Sequence, residues 1–165
     1  MNTTNIIERT STVKTTAQFS KSGRDRYLLK MEWDENKKSL AIVMTFPSSA
    51  NELIFDQTTM LVRNNAVKQD FGSVSIVNVF SAIGGNNAKP DKLNSSIVMS
   101  ECESADMIVV AYGRGTGYEQ EREAFLEMLS VYKDKLYTIV DSRGLPFSHP
   151  LSPLAHDWRI EKLKV

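Results

Sequence analysis

Asp56, Asn78, Arg114 and His149 are side chains able to move a proton, hold a charge or read a polar edge, and each stands just past an apolar run. His149 lies in His149-Pro150-Leu151-Ser152-Pro153-Leu154, a proline-ringed loop where an imidazole can donate a proton or steady a developing negative charge. Asn78 closes the run SVSIVN, and its amide, both donor and acceptor, suits the edge of a nucleobase, while Phe80 two residues on can stack on a ring. Asp56 follows Phe46-Pro47-Ser48-Ser49, a turn whose hydroxyls and backbone N–H groups can hold an anion or a polar ring. Its carboxylate fits two roles, orienting a water or capping the helix that begins there, and both stay open. Tyr112-Gly113-Arg114-Gly115-Thr116-Gly117 is a glycine-rich loop opening a helix, an arrangement that cradles phosphate, with Arg114 as a phosphate partner. It matches neither G-x-G-x-x-G nor the P-loop pattern, so as a nucleotide motif it is weak, and a tight strand-to-helix turn accounts for it better.

These residues share a context. Four short apolar runs, beginning at Leu40, Ser73, Ala105 and Leu136, each end in one of the polar turns just described. Runs of this length read as buried strands of a parallel sheet. Between them, Asp56 and the following DQTTMLVRNNAVKQD predict a short helix, as does LNSSIVMSECESA. A third helix follows Thr116 and Glu119 at capping-box spacing, with Tyr118, Phe125, Met128, Leu129 and Tyr132 along one face. Alternating strand and helix build a three-layer α/β sandwich, here with a central four-stranded, mainly parallel sheet. Its strand ends would gather on one edge, where open α/β sheets bind ligands. The segment RYLLKMEW, followed by the polar DENKK, predicts an antiparallel edge hairpin at the N-terminal side. Residues 1–24, rich in Thr, Ser and Lys, read as a flexible arm, and residues 25–165 as a single domain.

Composition narrows the function classes. Twenty basic and twenty acidic residues cancel, so no global field draws the chain to nucleic acid or to a membrane surface, and any contact with DNA must be local. One cysteine, Cys102, and two histidines offer no metal-ligand spacing, and nothing in the pattern calls for a cofactor. Cys102 has no basic residue within two positions and reads as structural, and His156 as a surface residue. A lone cysteine and the lack of an apolar stretch long enough for a leader or a membrane span predict a cytoplasmic protein.

The blocks RYLLKMEWD, FPSSANELIFDQTT, SIVNVF, VVAYG and GLPFSHPL resemble those of a bacterial and phage family, domain of unknown function 1643, over roughly Arg26 to Leu154. The family name implies no activity. More distantly, the order of turns is similar to the uracil-DNA glycosylase superfamily: a proline-containing turn, an Asn closing the second parallel strand, an aromatic-Gly end to the third, and a His-Pro loop after the fourth. That resemblance implies Asn78 as base reader, His149 as stabiliser of the leaving base, Leu151 or Leu154 as a wedge in the duplex, and a nucleobase, nucleotide or DNA as partner. Phe46 departs from it, standing where the unknown-function family usually has Asn and a glycosylase a polar group, which leaves Asp56 or Ser48 to hold a water. Two functions follow as expectations: hydrolysis of an N-glycosidic bond, or a non-catalytic nucleotide-binding or protein-interaction module on the same scaffold.

Overall fold

The structure, a computed structural model, describes residues 5–165. Seven strands form one mixed sheet: β1 Lys14–Phe19, β2 Arg26–Glu32, β3 Ser39–Met44, β4 Ser73–Asn78, β5 Met107–Val110, β6 Leu136–Val140 and β7 Arg159–Lys162. Their order across the sheet is β1-β2-β4-β3-β5-β6-β7. β3 runs parallel to β4 and β5, and β5 to β6, while β1 with β2, β2 with β4 and β6 with β7 pair antiparallel.

The buried strands alternate. Leu40, Ile42 and Met44 of β3 join Val74 and Ile76 of β4 in one cluster with Val62 and Ala66 of helix α1, Gln57–Lys68. Ala41 and Val43 face the other way, with Val77, toward Val98 and Cys102 of α2, Lys92–Ser104, and Phe125 and Leu129 of α3, Glu119–Leu129. A period of two puts successive side chains on opposite faces, so a strand apolar throughout needs a helical layer on each side.

Four expectations change. The four-stranded sheet is a seven-stranded one. The segment from Arg26 is no hairpin partner of β3: β2 lies inside the sheet between β1 and β4. Lys14–Phe19, expected in the arm, is an edge strand, and the part of the arm at residues 1–4 lies outside the described residues. Both edges, KTTAQF and RIEK, are polar and largely exposed, so they lack the apolar alternation that marks a half-buried strand, and charged edges of this kind discourage pairing with other chains. Finally, Thr116 does not cap α3. The helix starts after Tyr118, which sits in the left-handed region at φ 63°, and the Glu119 carboxylate accepts from the Gly117 N–H at 2.8 Å. No helix among the described residues is long and apolar enough to cross a membrane.

Candidate functional site

The four turns after β3, β4, β5 and β6 leave the sheet at the carboxyl ends of parallel neighbours, since Met44 pairs with Asn78, Val43 with Val110, and Val110 with Thr138. They are tied together. The Thr45 hydroxyl donates to the Tyr112 carbonyl at 3.0 Å, joining first to third. Gly84 N–H donates to the Pro47 carbonyl at 2.9 Å, and the Phe46 ring stacks on Phe80 with centroids 5.3 Å apart, joining first to second. Gly113 N–H donates to the Phe147 carbonyl at 2.8 Å, joining third to fourth.

A cavity of about 100 Å³ opens among them, lined by Arg26, Met44, Phe46, Pro47, Ser48, Thr58, Thr59, Ile76 and His149. Asn78 does not line it, but it is the register partner of Met44 and lies two residues beyond Ile76, so by alternation it shares the strand face of both lining residues. Its side chain is 2% exposed, and Nδ2 has no hydrogen-bond partner among the described residues. An unmade hydrogen bond in the interior costs about 1–3 kcal/mol, so this amide is a net cost to the fold.

Arg26, 2% exposed, is the second buried polar group. Its Nη1 donates to the carbonyls of Ala50 at 2.9 Å and Ser48 at 3.3 Å, while Nε has no partner among the described residues. A bulge puts it there. The β1–β2 register runs from Gln18 opposite Leu28 to Phe19 opposite Arg26, leaving Tyr27 as an extra residue. Strict alternation from Leu29, on the α1 face, would turn Arg26 toward α2. With the extra residue Arg26 lines the α1-side cavity, and Tyr27 comes under the influence of Asp91, the N-cap of α2. Burial lowers the guanidinium pKa to about 10, against the raising effect of Asp56, and leaves it charged at neutral pH.

Of its two open roles, Asp56 fills that of helix cap. Oδ1 caps α1 by accepting from Thr59 N–H at 2.8 Å. Burial opposes its charge, but hydrogen bonds from the Ser48 hydroxyl and from Thr59, together with the field of Arg26, hold the carboxyl below its ordinary range. His149 is half-buried, and burial depresses its pKa in spite of the nearby Asp56 charge, so the ring is neutral at pH 7. Nδ1 accepts from the Leu151 N–H at 3.1 Å, which places the single ring proton on Nε2. The ring packs against Gly113, where φ is +76° and an added Cβ would lie 3.3 Å from the His149 Cβ.

The structure therefore brings Pro47, Ser48 and His149 to one cavity, with Asp56 bonded to its wall and Asn78 buried next to the lining Met44. Other expected site residues lie elsewhere. Ser49 is exposed outside the cavity wall. Phe80, 1% exposed, belongs to the core on the α2 side and meets the site only through its stack with Phe46. Tyr112 is buried with its ring parallel to Phe147 at 5.9 Å, on the wall of a separate hollow of about 200 Å³ beside α3. Arg114, expected to meet a phosphate, is taken up by the protein: Nη2 lies 3.1 Å from Asp141 Oδ2 and donates to the Pro146 carbonyl at 3.3 Å. Asp141, 1% exposed, also accepts from Arg143 and the Leu145 N–H, and so organises the fourth turn. Arg26 is the contributor that the sequence reading left out of the site. Its signal was an arginine heading the apolar strand RYLLKME, where a charge needs an internal partner. Among the described residues no group of three or more His, Cys, Asp or Glu comes together to hold a metal ion.

The site's frame, from Arg26 through the His149 loop, coincides with a match to a known family. The model of the family described as protein of unknown function (DUF1643) matches residues 26–151. The chain belongs to that family. No curated protein and no solved structure matches the chain. The matched span begins at Arg26 and ends two residues after His149, so the family takes in every wall of the cavity and omits β1 and β7.

Proposed function

We propose that this protein recognises a nucleobase or nucleotide in the cavity at the carboxyl edge of β3 and β4, on a uracil-DNA glycosylase-like arrangement of turns. The observation that carries the reading is the orphaned, buried Asn78 Nδ2 at the end of β4, whose register partner Met44 lines a cavity together with Arg26 and His149. An unsatisfied buried amide at this strand end is consistent with a ligand that carries a carbonyl acceptor, as a nucleobase edge does.

Hydrolysis of an N-glycosidic bond is the reading favoured by Asp56, ionised and within electrostatic reach of His149. The water oxygen would bond to the sugar carbon, a water proton pass to Asp56, and the pair of electrons from the broken C–N bond leave with the base, steadied by His149. Binding without chemistry is favoured by Phe46, whose ring lies on the cavity wall, stacked on Phe80 and closed over Gly85, where an added Cβ would stand 3.1 Å from the ring. A phenyl ring there offers no hydrogen bond to a water.

The test is incubation of the full chain with single-stranded and duplex DNA carrying uracil or hypoxanthine, read by anisotropy for binding and by chromatography for released base. Binding lost in Asn78→Ala and His149→Ala, with melting temperatures close to that of the parent, supports the site. Release abolished by Asp56→Ala adds the chemistry. Absence of both binding and release removes the nucleobase reading and favours a protein-interaction module.

A further inference from the structure

Two neighbouring aliphatic side chains, Leu53 and Ile54, stand 85% and 70% exposed on a turn that cannot fold them away. Asn51 Oδ1 accepts from the Leu53 and Ile54 N–H groups at 2.9 and 2.7 Å, and the Asn51 N–H donates to the Ile54 carbonyl at 2.9 Å. The turn is anchored on both sides, by Arg26 at the Ala50 carbonyl and by Asp56 at the start of α1. Single apolar side chains scattered over a surface need no explanation, but a rigid turn that holds two of them in water is a contact surface already formed.

The same face continues along α1. Met60, Asn64 and Val67 recur at i, i+4 and i+7, and both apolar members of this stripe are exposed. Toward the carboxyl end of the helix opens a hollow of about 500 Å³, walled by Val13, Trp33 and Val67 together with Arg63 and Lys68. Arg63 ties the two ends, because it lines the hollow and also lays its guanidinium 5.6 Å from the centroid of the Phe55 ring, next to the protruding pair. A protrusion and a hollow at opposite ends of one helix are self-complementary: under a two-fold axis each copy's protrusion enters the other's hollow.

We infer that this face is a homodimer interface, in which α1 packs antiparallel on α1 of a second copy, with Met60 near the two-fold axis and Leu53 and Ile54 seated in the hollow at Val13, Trp33 and Val67 of the other copy. Charge favours the same pairing. Glu52, beside the protruding pair, has no ion pair among the described residues, and the antiparallel arrangement brings it to Lys68 of the second copy. Lys68 is free to accept it, since its own contact with Asp157 is exposed and long at 3.6 Å. Met60 lies midway along the chain both between Glu52 and Lys68 and between Leu53 and Val67, as a two-fold axis at that residue requires. A nucleic-acid partner fits this face less well, because Glu52 would repel phosphates. The inference is independent of the nucleobase reading, although the turn that carries Leu53 and Ile54 also supplies Pro47 and Ser48 to the cavity.

Sedimentation velocity of the full chain between about 1 and 100 μM, the range in which modest interfaces associate, should show monomer passing to dimer. Leu53→Asp, at a position too exposed to disturb folding, is expected to weaken the dimer by at least about tenfold. Glu52→Lys and Lys68→Glu should each weaken it, and the double exchange should restore it. A short bis-maleimide should join two copies of Met60→Cys but not of Val131→Cys, an exposed position that follows α3 on the other side of the sheet; the buried Cys102 does not compete. A monomer at every concentration would overturn the inference and leave the face to a different protein. A dimer indifferent to Leu53→Asp and to the charge exchange would overturn it by placing self-association elsewhere. Neither result touches the nucleobase reading, which ligand binding decides.

Discussion

Replacing Asn78 with leucine should make the free protein more stable while destroying its site. The Nδ2 of Asn78 is buried without a partner, and the side chain is 2% exposed. The backbone of this residue is independent of the substitution: its carbonyl accepts from Asn94 Nδ2 at 2.9 Å, and that bond survives any side chain. Leucine removes an unmade hydrogen bond worth about 1–3 kcal/mol and adds apolar contact with Met44 and Ile76. Leucine is slightly bulkier than asparagine, and overpacking costs about 1–3 kcal/mol in a filled core, but the adjoining cavity of about 100 Å³ takes up the difference. The balance is a gain of about 1–2 kcal/mol. For a chain of this size that raises the melting temperature by roughly 2–8 °C. The assay is urea unfolding followed by circular dichroism, paired with ligand titration. A loss of more than about 1 kcal/mol on Asn78→Leu would refute the reasoning, because it would mean that the amide is satisfied in the free protein.

Gly113→Ala forces an L side chain into the left-handed region, costing about 1–2 kcal/mol, and presses a methyl against His149; urea unfolding measures the cost, and ligand affinity should fall further than the loss of stability alone accounts for. The depressed pKa of His149 means that the unfolded chain binds its proton more readily, so this residue's contribution to stability is complete above the ordinary value of 6.5 and is lost as pH falls through the lowered one. His149→Gln should flatten the stability profile over that window, as followed by thermal melts from pH 7 to pH 5. Cys102, fully buried with burial pushing its thiol up to about 12, should resist thiol reagents in the native state and react at once in denaturant, which absorbance labelling reads directly.

Much of the layout was legible because it is written in local periodicity. The four apolar runs became β3 to β6, the asparagine at the end of SVSIVN closes β4, and Asp56 caps α1. These outcomes depend on residues within a few positions of one another, where side-chain alternation and capping chemistry act. The edges escaped notice for the opposite reason: strands as polar as KTTAQF and RIEK are recruited by a neighbour's free backbone groups, not by their own side chains.

The site itself was divided between the two levels. Residue types alone nominated Ser48, Asp56, Asn78 and His149, since each must find partners wherever the chain puts it. Which candidates share a cavity was a tertiary matter. Arg114 was lost to Asp141, a partner 27 positions away in the chain that sequence spacing cannot reveal. Arg26 was gained through one extra residue in β2, because a single-residue slip in a period-two structure sends a side chain to the other face of the sheet. The sequence by itself determined the strands, the caps and the polar inventory of the turns. Only the folded sheet decided which of those charges would be neutralised by a partner elsewhere in the chain, as Arg114 is by Asp141, and which would be buried without an ion pair, as Arg26 is.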